Sequence, residues 1–97
     1  MAQTIPDIKA PSDDWVSVNV LAGISVGTAI IIQNKSPYWV LLQESGAKPV
    51  FTSTDGVTLT NLEGTEPSRL ISAGSLEIWA KSTVDGKSAR LSVQTVA

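Results

Sequence analysis

The sequence predicts an all-β domain: an antiparallel β-sandwich or jelly-roll-like barrel of about seven short strands behind an extended N-terminal arm. Three observations carry this. Apolar residues recur with a period of two, and no stretch holds the 3.6-residue period of a helix. Turn signals built on Gly, Pro, Asn and Asp separate the alternating runs. At 97 residues the chain has material for one core, because a chain of this size buries roughly two thirds of the surface that its unfolded form exposes. The division expected is an arm over residues 1–14 and a single sandwich domain over residues 15–97.

The arm carries Pro6 and Pro11, with isolated apolar residues at Ile5 and Ile8, which suits extended chain better than a helix or a central strand. From Trp15 the pattern alternates. Val16, Val18 and Val20 fall on one side, with Ser17 and Asn19 on the other, as in a half-buried strand. Gly23 and Gly27 punctuate the next segment. Residues 28–34 are nearly continuous and β-branched and read as a central strand covered on both faces. That strand ends at Asn34-Lys35-Ser36-Pro37, and residues 38–43 are expected to return as its hairpin partner.

The middle is less regular. Residues 48–52 suit a short edge strand, Asp55-Gly56 is a hairpin-type dipeptide, and Val57, Thr58, Leu59 and Thr60 alternate again. Residues 61–68 read as loop, followed by a strand through Arg69, Leu70 and Ile71 and a turn at Ala73-Gly74-Ser75. At the end, residues 76–81 and 89–94 alternate on either side of Val84-Asp85-Gly86-Lys87, the pattern of a β-hairpin.

Histidine and cysteine are both absent, which removes the usual general base, the commonest metal ligand, the thiol nucleophile and any disulfide. Of the carboxylates, Asp13-Asp14, Glu63 with Glu66, and Glu77 could pair as acid and base in a glycosidase-like arrangement. Their ordinary reading is solvated charge. Asp55-Gly56 and Asp85-Gly86 lack the spaced oxygen ligands of a calcium loop and read as turns. The expectation is a protein that is not an enzyme, with no catalytic residues, no cofactor and no metal site.

Seven basic residues are scattered along a chain of net charge −2, so no stripe forms to track a phosphate backbone and nucleic acid is not expected as a partner. The longest apolar run, residues 29–32, is far too short to cross a bilayer, and the chain opens without a signal-like segment. Synthesis in a cytosol, without a membrane partner, is the expectation.

The tryptophans stand out when each strand is read with period two. Trp15 shares a side with Ser17 and Asn19, and Trp79 shares one with Glu77 and Lys81, so both are placed on polar faces. Trp39 has apolar residues on both sides and is not assigned. Three roles are open to such indoles: folding back over the core's edges, contacting another subunit, or stacking on a sugar ring.

The stretch Val26-Gly27-Thr28-Ala29-Ile30-Ile31-Ile32-Gln33-Asn34-Lys35-Ser36, the later Leu76-Glu77-Ile78-Trp79-Ala80-Lys81-Ser82 and the closing Ala89-Arg90-Leu91-Ser92-Val93 resemble small virion proteins of tailed bacteriophages. Those proteins commonly present an "IQN" strand end, an "IWA" strand and a short closing hairpin. The resemblance spans residues 15–96 and is one of pattern, without a diagnostic motif. It implies a β-sandwich structural subunit of the virion, made in the host cytoplasm and docked in many copies as a head-decoration, collar, fibre-base or tail-associated component. The partners implied are other virion proteins (capsid, portal or tail), and a homo-oligomer is expected. In that setting Ile5, Ile8 and Pro11 are candidate tether residues, and Trp15 and Trp79 candidate contact anchors. The alternative is a carbohydrate- or receptor-binding β-sandwich module.

Overall fold

A computed structural model describes residues 5–50, 52–53, 56–59 and 68–96. In chain order the elements are β1 (Ile8–Ala10), β2 (Val16–Ser17), α1 (Val18–Ala22), β3 (Ile30–Asn34), β4 (Val40–Glu44), β5 (Val57–Leu59), β6 (Ser68–Ile71), β7 (Ile78–Ser82) and β8 (Ala89–Thr95). They form two four-stranded antiparallel sheets packed as a sandwich, sheet I in the order β1-β8-β3-β6 and sheet II in the order β2-β7-β4-β5.

The wiring is nested. β1 pairs with β8, β2 with β7, β3 with β6 and β4 with β5. The chain is thus one long hairpin folded at its middle and rolled up, so that successive pairs fall alternately in sheet I and sheet II. That is the jelly roll, the more specific of the two all-β architectures expected.

Rolling corrects two local expectations. β3 and β4 lie in opposite sheets, and so do β7 and β8, so the turns at residues 35–39 and 83–88 are arches between sheets and not hairpins. Gly86 does turn the chain as Asp-Gly suggests, with φ of 74° and Lys87 N–H bonded to the Val84 carbonyl at 3.1 Å. A turn dipeptide fixes the reversal, not which sheet receives the next strand.

Between the sheets, alternate residues supply the core: Ile30 and Ile32 from β3, Val40 and Leu42 from β4, Ile78 and Ala80 from β7, and Ala89, Leu91 and Val93 from β8. β3 is central in its sheet but is not covered on both faces, since Ile31 is 41% exposed. A run of β-branched residues signals strand without saying how many faces are buried.

The arm expected over residues 1–14 is, in its described part, integral to the sandwich. Ile8 and Ala10 are buried, in register with Leu91 and Ala89. Ile5 exchanges hydrogen bonds with the Gln94 amide, donating its N–H and accepting on its carbonyl, each at 3.0 Å. Pro6 and Pro11 flank a sheet-edge strand, where a missing N–H breaks no ladder.

The strand expected through Val20 stops at Ser17. The Ser17 hydroxyl accepts from the Val20 N–H at 3.2 Å and caps α1, which Gly23 closes in the left-handed conformation at φ of 70°. Alternation is therefore broken: Ser17 and Asn19 are buried and Val20 is exposed. Asn19 uses its side-chain carbonyl to accept from the Ile78 N–H at 2.9 Å. Residues 48–50 are irregular, so the described part of the expected 48–52 edge strand is loop.

Asn34 closes the far end of β3. It is 1% exposed, and its Nδ2 donates to the carbonyls of Tyr38 and Leu59 at 2.6 and 3.2 Å. Its Oδ1 accepts from the N–H and hydroxyl of Ser36 at 3.0 and 2.7 Å. One buried amide thus ties β3, the following arch and β5 together, with donors and acceptor all used.

Candidate interaction surfaces

All three tryptophans lie on the outer face of sheet II. The inward positions of β4 and β7 are Val40, Leu42, Ile78 and Ala80, and β2 pairs Val16 with Ala80 and Ser17 with Trp79. Trp15, Trp39 and Trp79 therefore occupy the opposite parity. Trp15 and Trp79 stand opposite the inward residues of their sheet and Trp39 joins them, but at Trp15 this is not the solvent-side face expected, since Trp15, Ser17 and Asn19 are all buried.

That face is partly covered by the chain itself. Trp15 is only 2% exposed although it stands apart from the inter-sheet core. The connection leaving β4 runs back across it: Trp79 Nε1 donates to the Ser45 carbonyl at 3.2 Å and Trp15 Nε1 donates to the Val50 carbonyl at 3.0 Å. Ser53 Oγ donates to Gln43 Oε1 at 3.0 Å, and Lys48 pairs with Asp14 beside Trp15. Lys81 covers the ring of Trp15, with Nζ 5.4 Å from the centroid.

Trp15 is consequently a buried anchor for this chain's own loop and has no surface left for a partner. Trp79 is half-buried under the same connection. Trp39 is the exposed indole, at 44%, with its carbonyl held by the N–H and hydroxyl of Thr83 at 2.9 and 3.0 Å.

The other candidates lie elsewhere. Ile8 is buried against β8 and Ile5 is half-buried beside Gln94, so these two belong to the edge of sheet I and not to a free tether. Pro11 accepts from the Ser82 N–H at 2.9 Å and lines an open cleft of about 490 Å³ with Ser12, Asp13, Asp85, Gly86 and Ser88. The structure does not gather Ile5, Ile8, Pro11, Trp15 and Trp79 into one surface.

The carboxylates show no acid–base pair among the described residues. Asp14 is occupied by Lys48 and by the Trp15 N–H, and the Lys48 hydrogen bond holds its carboxyl below the ordinary value. Glu77 accepts from the Ser17 hydroxyl. Glu63 and Glu66 lie outside the described residues. No group of three or more potential metal ligands comes together among the described residues.

Sheet edges are guarded. In the register of β3 and β6, Arg69 stands opposite the buried Ile32, so a charged residue occupies an inward position on the edge strand. The other edge strands are three residues or fewer: β1, β2 and β5. Short edges and inward charges both discourage pairing with another sheet.

The ends of the roll differ in character. Antiparallel wiring collects residues 18–29, residues 72–77 and Val96 at one end, where Gly74 N–H bonds the Gly27 carbonyl at 2.9 Å and Val96 N–H bonds the Ala29 carbonyl at 3.0 Å. Among the described residues its carboxylates are Glu77 and the exposed Glu44, which accepts from the Leu76 N–H at 3.0 Å. Val20 (73%), Leu76 (54%), Leu21, Val26 and Val96 are all exposed on these segments. No charged residue occurs from Trp15 to Asn34 or from Leu70 to Leu76. The opposite end, formed by residues 11–15, 35–39 and 83–88, exposes Asp13, Lys35, Asp85 and Lys87.

Sequence reasoning missed the apolar end, although its signal was present as a twenty-residue stretch without charge, from Trp15 to Asn34. Comparison of the chain with protein-family models, with curated proteins and with solved structures gave no match.

Proposed function

We propose that this protein is a non-enzymatic structural subunit of a bacteriophage virion, binding other particle proteins as a decoration, collar or tail- and fibre-associated component. The observation that carries the reading is the concentration of exposed aliphatic side chains, Val20, Leu21, Val26 and Leu76, on the loops at one end of a jelly roll. Scattered exposed apolar residues are ordinary, but apolar side chains gathered on linked loops mark a protein contact. The architecture supports the same reading by analogy, since jelly rolls recur in viral capsid and lectin domains, and fold alone does not assign function. The pattern resemblance to small virion proteins points the analogy toward the particle.

Quantitative peptide mass spectrometry on density-purified particles of the source phage, or on particles from its host after prophage induction, tests this. Copy number close to that of the major capsid protein means head decoration, and copy number near that of portal or tail components means collar, tail or fibre. Absence from the particle overturns the reading.

A second reading, a carbohydrate- or receptor-binding module, draws support from Trp39, exposed on the same outer face as Trp15 and Trp79. It predicts saturable quenching of tryptophan fluorescence by a soluble glycan, lost in Trp39→Ala. A broad glycan panel that produces no quenching removes it.

A further inference from the structure

We infer that residues 45–50 form a strap that opens from the outer face of sheet II as a unit while the sandwich stays folded, uncovering Trp15 and Trp79. This device is independent of the virion reading.

The strap is held by its main chain and not by packing. None of residues 45–50 is buried, and Val50 is 70% exposed although its carbonyl is bonded. Its ties to the sheet include the indole N–H groups of Trp79 and Trp15 on the carbonyls of Ser45 and Val50, and the Lys48–Asp14 ion pair, whose side chains are each about half exposed. Both of its ends are fixed. Ser45 N–H bonds the Glu77 carbonyl at 2.9 Å, one step beyond the pairing of β4 with β7. Ser53 N–H bonds the Val50 carbonyl at 3.0 Å, and Ser53 Oγ bonds Gln43 on β4.

Each tie is weak by itself. A neutral hydrogen bond released here exchanges for one to water, an exposed ion pair is screened, and no strap side chain has to leave the core. The chain freedom regained by the strap favours opening. Exposure of the Trp15 ring opposes it, so the closed form dominates. The core between the sheets contains no strap residue and neither Trp15 nor Trp79, so opening leaves it intact. Lys81, on β7, keeps its place over the Trp15 ring. Segments with few buried apolar contacts are the ones that open locally, below the cost of global unfolding. The closed form shows one well-exposed indole on this face, Trp39, and the open form adds two. The strap therefore sets how much aromatic surface the outer face of sheet II presents.

Hydrogen exchange followed by NMR on the full chain, in buffer and in urea well below the unfolding transition, tests the inference. After correction for intrinsic rates, the indole protons of Trp15 and Trp79 should report equal opening. It should be at least about tenfold more frequent than at the most protected amides of β3 and β8, the central strands of sheet I. Urea should quicken the indole protons much less than those amides, because opening the strap uncovers far less surface than unfolding does. In Trp79→Phe, its fold verified by circular dichroism, the Trp15 indole proton should exchange about fivefold faster, since one shared opening has lost a hydrogen bond. Indole protons that exchange no faster than the β3 and β8 amides overturn the inference, because global unfolding alone would then release them. So do unequal opening at Trp15 and Trp79, or a Trp15 rate unchanged in Trp79→Phe, either of which would make the two ends independent.

Discussion

Nε1 of Trp15, the residue before β2, donates a hydrogen bond of 3.0 Å to the main-chain carbonyl of Val50, 35 residues further along the chain. With its counterpart from Trp79 to Ser45, it fastens the connection after β4 across the outside of sheet II. Val50 keeps its own side chain in solvent, so the contribution of this residue is its carbonyl. The sandwich therefore carries a second apolar layer outside its inter-sheet core, and two of its three tryptophans belong to it.

Replacing Trp15 separates the ring from its N–H. Trp15→Phe keeps much of the buried surface and leaves the Val50 carbonyl without its donor, a loss of about 1 kcal/mol. Trp15→Ala also removes the ring and should cost about 3–5 kcal/mol. Urea unfolding of both variants measures the difference. Equal losses would mean that the N–H alone holds the loop.

The all-β class was legible because its evidence is local. Ile78 and Ala80 in β7, and Ala89, Leu91 and Val93 in β8, point inward as period-two reading requires. What was not legible depends on partners distant in sequence. Nothing near Asp85-Gly86 says that β8 joins the other sheet, and nothing near Trp15 says that residue 50 will cover it. At Ser17 two local signals conflict, strand alternation and a helix cap, and the cap prevails because Gly23 is placed to close a single turn. Of the candidate contact residues, Ile8 and Trp15 failed for one reason: an apolar side chain that looks surplus to one strand's inner face was buried by another segment.

Asn34, the last residue of the "IQN" strand end, has a structural task that substitution exposes. Asn34→Ala strands the carbonyls of Tyr38 and Leu59 in the interior, and a loss of about 3 kcal/mol is expected. Asn34→Asp keeps the shape but replaces two donors with a buried carboxylate. Burial raises that carboxyl's folded pKa above its unfolded value of about 3.9, so the variant is least destabilised below that pH and loses stability as pH rises. Urea melts of variant and wild type at acid and neutral pH check the sign; a difference independent of pH would mean that solvent reaches the site.

Asp14 offers the opposite sign at the surface. Its folded pKa lies below the ordinary 3.8, chiefly through the Lys48 hydrogen bond. The stabilisation is present above the unfolded pKa and is lost as pH falls through the folded one. Lys48→Met should move the Asp14 titration back toward 3.8, followed by carboxyl carbon NMR. Salt should produce a smaller shift in the same direction, because the pair is half exposed and screened. An unmoved titration would mean that the ion pair does not persist in solution.

Gly56 and Gly86 both adopt positive φ, at 109° and 74°, but only one is crowded. A Cβ at Gly56 would lie 2.1 Å from the Leu42 carbonyl oxygen, in the backbone of the strand that β5 pairs with, whereas a Cβ at Gly86 meets nothing within 4 Å. Gly86→Ala therefore incurs only the left-handed backbone cost of about 1–2 kcal/mol. Gly56→Ala must in addition push β5 away from β4 at the Val57–Leu42 register pair, and a loss of about 3 kcal/mol or more is expected. For a domain of this size each kcal/mol lowers Tm by roughly 4–8 °C, so thermal melts resolve the two variants. Equal shifts would show that β5 can yield without cost, and that the inner end of the roll, where β4 turns into β5, is looser than its pairing implies.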